Sequence, residues 1–187
     1  MTTIPSILSE SESRMKKSVE ALKKELINVR TGRASPALLD GIDVLYYNTP
    51  TPINQVATIT VPEARTIVIQ PWDKQAMQDI EKAILKSDLG LTPNNDGKVI
   101  RINLPIPTEE RRRELVKTVS KRVEDGHIAV RNIRRDGMDS IKAMEKDKDL
   151  SQDDSKRAQE QLQKLTDAYI QEMDTLRKEK EAEVMEI

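Results

Sequence analysis

The sequence predicts an α+β fold, an elongated antiparallel three-helix bundle with a small β/α/β domain inserted into it. Three observations carry that prediction. Three long segments repeat apolar residues at helical spacing, while a stretch between the first and second is rich in β-branched residues that partly alternate. Gly and Pro mark both connections bounding that stretch. The third observation is composition. Leu, Ile and Val exceed the roughly 20% below which chains read as disordered, and the net charge is −1, so the chain folds. Yet 34% of its 187 residues are charged and 36% hydrophobic, the balance of slender helices with much surface in water.

The first helix is expected over Ser9–Arg30, with Met15, Val19, Leu22, Leu26 and Val29 forming its seam. The second opens at Thr108, a suitable N-cap, followed by Glu109 and Glu110 where the helix dipole favours negative charge. Its seam runs through Val116, Val119, Val123, Gly126, Val130, Ile133, Gly137, Ile141 and Met144. Glycine inside a helix costs ~1 kcal/mol relative to Ala, so two glycines on a seam suggest that another helix passes close by. The third helix starts after Ser151 and carries Ala158, Leu162, Leu165, Tyr169, Met173 and Leu176. The short Lys146–Leu150 connection makes helices two and three antiparallel neighbours. Helix two would run about 57 Å at 1.5 Å per residue. A compact chain of this length is only ~40 Å across. An elongated molecule follows.

The inserted segment is Thr31–Pro105. Strands are expected over 42–47, 56–61, 66–69 and 99–102, separated by turn chemistry at Asn48–Pro52, Pro62 and Asn94–Gly97. One helix capped by Asp73 presents Met77, Ile80 and Ile84 on one face. The bundle is thus residues 1–30 and 106–187, and the inserted domain 31–105. The chain crosses between them twice, at Arg30–Thr31–Gly32–Arg33, ahead of a short turn capped by Ser35 with Pro36 at its first position, and at Leu104–Pro105–Ile106–Pro107. Two such crossings read as a hinge.

Enzyme chemistry is nearly absent. Without Cys there is no thiol nucleophile, disulfide or Cys-based zinc site, and no GxxxxGK[ST] loop is present to hold a nucleotide. The one histidine, His127, falls in mid-helix, where a surface or interface residue is expected. Asn94–Gly97 lacks the later ligands of a calcium loop and reads as a turn. No apolar run approaches the ~18 residues of a membrane span, and the first residues do not form a secretion signal. The expectation is a soluble cytoplasmic protein with no cofactor. Four aromatic residues are too few for the stacking platforms of single-strand RNA modules.

Charge is more informative. Residues 111–142 carry a net +5 and residues 143–187 a net −5, so a nearly neutral total hides a polarised bundle. At 100° per residue, Arg131, Arg134, Arg135, Arg113, Lys117 and Lys142 fall within an arc of about 100° on helix two. Guanidinium groups aligned this way suit phosphate oxygens. Three readings remain open on the pattern alone: a nucleic-acid face, a face that is solvated or paired with helix three, and a face for an acidic protein. A cytoplasmic helical scaffold or chaperone is the corresponding rival function. If RNA is bound, the phosphates of a folded RNA suit the scarcity of aromatics.

Five local motifs, in order, resemble the bacterial ribosome recycling factor family along essentially the whole chain. They are Arg30–Pro36 with Leu38–Leu39–Asp40, Thr49–Pro52, Asp88–Asn94, Thr108–Arg112 and Val130–Asp136. Asn48 departs from the glycine often found there, though Asn also tolerates a left-handed turn. The resemblance implies an L-shaped, tRNA-like monomer with a hinged domain and no catalysis of its own. It implies binding to the large subunit of the post-termination 70S ribosome, with elongation factor G and its GTP driving subunit splitting. Arg131, Arg134 and Arg135 would then hold ribosomal RNA, with Arg30 and Arg33 contributing near the hinge.

Overall fold

The computed structural model describes residues 2–186. The chain divides into two compact units, residues 2–30 with 110–186 and residues 31–109. The sequence reading ends the inserted domain at Pro105; in the structure the proline-marked run to Thr108 and the first residue of the following helix also go with the inserted unit.

The first unit is three helices: α1 (Ile4–Ile27), α3 (Glu109–Lys146) and α4 (Gln152–Met185). Helix α1 begins earlier than its apolar seam predicts. The Thr3 hydroxyl accepts the backbone N–H of Ser6 at 3.2 Å, and the Ser6 hydroxyl returns the contact to the Thr3 backbone N–H at 3.0 Å. Pro5 sits in the first turn, where its missing N–H costs nothing. The helix stops at Ile27 with Asn28 as cap, so Val29 packs on the core from outside it. Ser151 caps α4 as expected, accepting the Asp154 N–H at 3.1 Å. Helix α4 continues through residues 181–185, and Ile187 lies outside the described residues.

Cross-helix contacts define the register. Between α1 and α3, Ser11 meets Gly137, Arg14 pairs with Asp136 at 3.0 Å, and Leu22 meets Gly126. Between α3 and α4, Gly126 meets Met173, Gly137 meets Leu162, and Glu145 accepts the Ser155 hydroxyl at 2.6 Å. As α3 advances, each partner helix recedes, so α3 runs antiparallel to both. The buried row of α3 is Leu115, Val119, Val123, His127, Val130, Ile133, Gly137 and Ile141. Leu115 rather than Val116 faces inward, and Gly126 is half-buried. On α4 the predicted Leu165, Tyr169 and Leu176 only flank the core, while Ser155 and Thr166 are buried. Thr166 survives there because its hydroxyl donates to the Leu162 carbonyl at 2.8 Å. Tyr169 donates to Glu12 of α1 at 3.1 Å, and burial, with that hydrogen bond, raises its phenol above the ordinary range.

The second unit contains a two-stranded ribbon, a four-stranded antiparallel sheet and a helix. The ribbon is β1 (Asp43–Tyr46) with β2 (Thr49–Pro52). The sheet has β3 (Ala57–Glu63), β4 (Thr66–Pro71), β5 (Pro93–Asn95) and β6 (Ile100–Asn103) in the order β3-β4-β6-β5. Ile67, Ile69, Ile100 and Ile102 share a fully buried core with Met77, Ile80 and Ile84 of α2 (Met77–Lys86). Three turn readings need correction. Thr49–Pro52 forms a strand, because a two-residue turn at Tyr47 and Asn48, both at positive φ, folds it back on β1; its prolines are tolerated where no inner strand needs their N–H. Pro62 lies inside edge strand β3 at a shift of register rather than ending it. Asn94 and Asn95 belong to β5, and only Asp96–Gly97 turns the chain. The N–H groups of Val99 and Lys98 donate to the Asp96 carboxylate and hold its pKa below the usual value.

A β-carbon on Gly137 would lie 2.7 Å from Leu162 Cδ2 and 3.0 Å from Ser11 Oγ; on Gly126 it would meet the Met173 thioether at 3.1 Å. Leu162 and Met173 are both fully buried, but the contact at Gly137 is the shorter, and the unbranched thioether can shift where the branched Leu162 cannot. Overpacking costs ~1–3 kcal/mol against the ~1 kcal/mol that Ala gains over Gly in a helix. Gly137→Ala should therefore lower the urea midpoint followed by helical circular dichroism, while Gly126→Ala should leave it near wild type. A Gly137→Ala protein as stable as wild type would contradict this packing.

Candidate nucleic-acid interface

Helix α3 positions the candidate site. Its inner row is held by α1 and α4, so at 100° per residue the side chains on the flank from Arg134 round to Arg135 point away from the core. Lys117, Arg131, Arg135, Lys142 and Arg113 are exposed, and Arg134 is half-buried at the edge of the core. Arg134 Nε is enclosed without a hydrogen-bond partner, so the end of the guanidinium carries the group's remaining donors.

The charges of this flank are not uniformly quenched. Arg131 Nη1 lies 3.2 Å from Glu124 Oε1, an exposed pair. Arg113 is also engaged with a neighbour. Lys117, Arg134, Arg135 and Lys142 form no salt bridge among the described residues, although the acidic helix α4 belongs to the same bundle. Ion pairs from elsewhere on α3 instead join it to α1: Arg14–Asp136 at 3.0 Å and Arg122–Glu25 at 3.8 Å. Lys117, Arg135 and Lys142 thus face water, with the half-buried Arg134 beside them.

Of the two expectations for His127, surface or interface, the structure shows the interface. The residue is 7% exposed and belongs to the α3 seam, with Nε2 3.0 Å from Asp174 Oδ1 of α4 and Nδ1 3.4 Å from Glu124 Oε2. The pattern hid this because an imidazole is not counted among apolar seam residues. Two residues of the cationic flank escaped the sequence reading. Lys121 is exposed, and Ile128, an apolar residue 46% exposed, lies between Lys121 and Arg135 in angle around the helix. The signal was available: Ile128 is the one Ile of α3 that falls off the inward row.

The remaining predicted residues lie in the connections. Arg30 follows the end of α1 and is exposed; Arg33 is exposed and has a partner. Between them Thr31 is buried and Gly32 adopts φ 80°, a conformation that favours glycine. Within the second unit both connections are tied to one place. The Ala34 N–H donates to the Ala64 carbonyl at 2.7 Å, and the Leu104 N–H to the Arg65 carbonyl at 2.8 Å. Pro105, Ile106 and Pro107 follow in extended backbone, with Ile106 exposed.

Among the described residues, no group of three or more His, Asp or Glu is placed to hold a metal, and no helix is long and apolar enough to cross a membrane. A long helix with free cations, packed in a bundle and accompanied by a small α+β unit, is the build of a binding protein, and its charge suits an extended anionic ligand. Comparison with known proteins makes the class specific. The sequence model described as "Ribosome recycling factor" matches residues 22–185. The chain is 56% identical over 184 residues to the ribosome-recycling factor of Heliobacterium modesticaldum, covering 98% of this chain and 100% of that one. It is 58% identical over 181 residues to the ribosome-recycling factor of Oleidesulfovibrio alaskensis, covering 97% and 98%. A solution structure of the ribosome recycling factor is similar with a TM-score of 0.75 at 47% identity, over 100% of both chains. The Thermus thermophilus ribosome recycling factor, described with Escherichia coli elongation factor G bound to the Escherichia coli post-termination complex, is similar with a TM-score of 0.65 at 47% identity, over 98% and 99%. The chain belongs to the ribosome recycling factor family, and it is a non-catalytic translation factor.

Proposed function

We propose that this chain recycles ribosomes in the cytoplasm after translation termination. It binds as a monomer to the large subunit of the post-termination 70S complex. Elongation factor G, hydrolysing its own GTP, then drives the subunits apart, and mRNA and tRNA are released. Family membership supports the activity, and so does a relative described on a post-termination complex with elongation factor G. The observation that carries the chain's own part is the set of α3 cations without salt-bridge partners: Lys117, Arg134, Arg135 and Lys142.

In this reading those four, together with Arg131, Arg113, Arg30 and Arg33, contact ribosomal RNA phosphates. Affinity is then dominated by release of counterions from the RNA. A helix is the right carrier, because its hydrogen-bonded backbone keeps the charges in fixed spacing while load passes through it. Arg131 would exchange its exposed Glu124 partner for phosphate at small cost, since such pairs contribute ~0–1 kcal/mol. The apolar seam is covered by helices of the same chain, which supports action as a monomer.

The connections Arg30–Arg33 and Leu104–Pro107 act as the hinge. Their inner ends are fastened to Ala64 and Arg65, so bending falls on Gly32 and its neighbours and on the proline run.

Arg134→Ala should weaken binding to purified large subunits and reduce the slope of log affinity against log salt by about one contact. Unchanged affinity and slope would remove the cationic flank from the interface. Shortening 31–34 should leave ribosome binding largely intact yet abolish splitting in the presence of elongation factor G and GTP; normal splitting by that variant would dispose of the hinge.

A further inference from the structure

The second unit has a feature that ribosome binding through α3 does not use. Its β1–β2 turn and the beginning of α2 enclose a cleft of about 290 Å³, lined by Leu45, Tyr46, Tyr47, Asn48, Gln75 and Asp79 among others. We infer that this cleft receives an arginine or lysine side chain presented by a protein partner.

The walls set two tyrosine rings and Leu45 beside the polar Asn48, Gln75 and Asp79, and they are open to water. Tyr47 is 71% exposed and Leu45 56%. The Tyr46 and Tyr47 rings meet edge to face, with centroids 4.5 Å apart and planes at 72°. That geometry leaves ring faces free for a cation. Tyr47 also takes φ 48° at the first position of a turn that glycine or asparagine fills more easily. The fold thus accepts an unfavourable backbone conformation at the residue that displays an aromatic ring, a pattern associated with binding sites.

The electrostatics select the occupant. Both phenolic hydroxyls converge on one oxygen of Asp73, Tyr46 at 3.3 Å and Tyr47 at 3.4 Å, while the other oxygen accepts the Gln75 N–H at 3.0 Å. Asp79 supplies a carboxylate in the lining itself, where no Lys or Arg stands. The Tyr46 phenol lies above its ordinary pKa through burial and through the nearby Tyr47 and Asp73 charges, consistent with a site that disfavours anions. A nucleobase could stack on Tyr47, but it would bring its phosphate towards two carboxylates. A planar guanidinium gains from both the ring faces and the acids. A protein side chain is therefore the occupant that fits, and RNA is the one the charges oppose.

The test titrates N-acetyl-arginine-methylamide into the full-length chain, following backbone amides by heteronuclear NMR and the single tryptophan, Trp72, by fluorescence. The uncharged isostere N-acetyl-citrulline-methylamide and hexauridylate are run in parallel. Saturable shifts confined to 45–48 and 73–79 are expected with the arginine compound and not with the other two. Asp79→Asn and Tyr47→Ser should each weaken that binding by about three-fold, the scale of an exposed ion pair for the first and of an exposed cation–π contact for the second. If Tyr47→Ser disturbs the turn, Asp79→Asn decides alone. Equal shifts with citrulline, no saturation, or preferential saturation by hexauridylate would overturn the inference. Any of those outcomes leaves the α3 interface as it stands, because the cleft belongs wholly to the second unit.

Discussion

The burial of a single row of α3 against α1 and α4 is the constraint on which the rest depends. Once Val119, Val123, Val130, Gly137 and Ile141 face inward, helical geometry leaves no freedom for the arginines between them. Rotating α3 to cover the cations would bring Lys or Arg into an apolar core, which neutralisation or pairing would have to offset. The glycine at 137 fixes this rotation further. It accepts Leu162 and Ser11 against backbone, and that contact exists only when this face of α3 meets both neighbours. Packing chemistry at the seam thus sets the electrostatics of the adjoining flank, and the flank carries the proposed function.

The same logic separates the roles of the two units. The bundle offers regular spacing and free positive charge. The inserted unit offers irregular detail: a tight hairpin with two left-handed residues, a carboxylate shared by two phenols, and connections fastened to the β3–β4 turn. Regular helices suit a repeating anionic backbone, which has little local identity. Irregular loops suit individual side chains, because several groups can be brought to one point from different strands.

Much of this was legible in the sequence where a long period dominates. The limits of α3 coincide with the sequence expectation, the start of α4 coincides with its Ser151 cap, and the glycines on the α3 seam mark real close approaches. The reading was weaker wherever a local device overrode composition. Thr3 and Ser6 lengthen α1 beyond its apolar residues. Prolines 50, 52 and 62 look like turn formers, yet each finds a place in a strand of a ribbon or sheet edge where its missing N–H is tolerated. His127 joins the core beside Asp174 of α4, and a residue so distant in sequence cannot be paired with it by periodicity. For the cationic flank, spacing along one helix identified the arc, but only the side-chain positions distinguish Lys117 and Arg135, which form no salt bridge, from Arg131, which pairs two turns back with Glu124. The Tyr46–Tyr47–Asp73 group was invisible for the same reason: its members come together across 26 residues of chain.

The most direct measurement is light scattering of 70S post-termination complexes mixed with elongation factor G, GTP and this protein. The account predicts that scattering falls as subunits part when all three are present, and stays level when this chain carries Arg131→Glu, Arg134→Glu and Arg135→Glu together. Splitting at the wild-type rate by the charge-reversed chain would contradict it, since a flank that repels phosphate could not be what holds the ribosome.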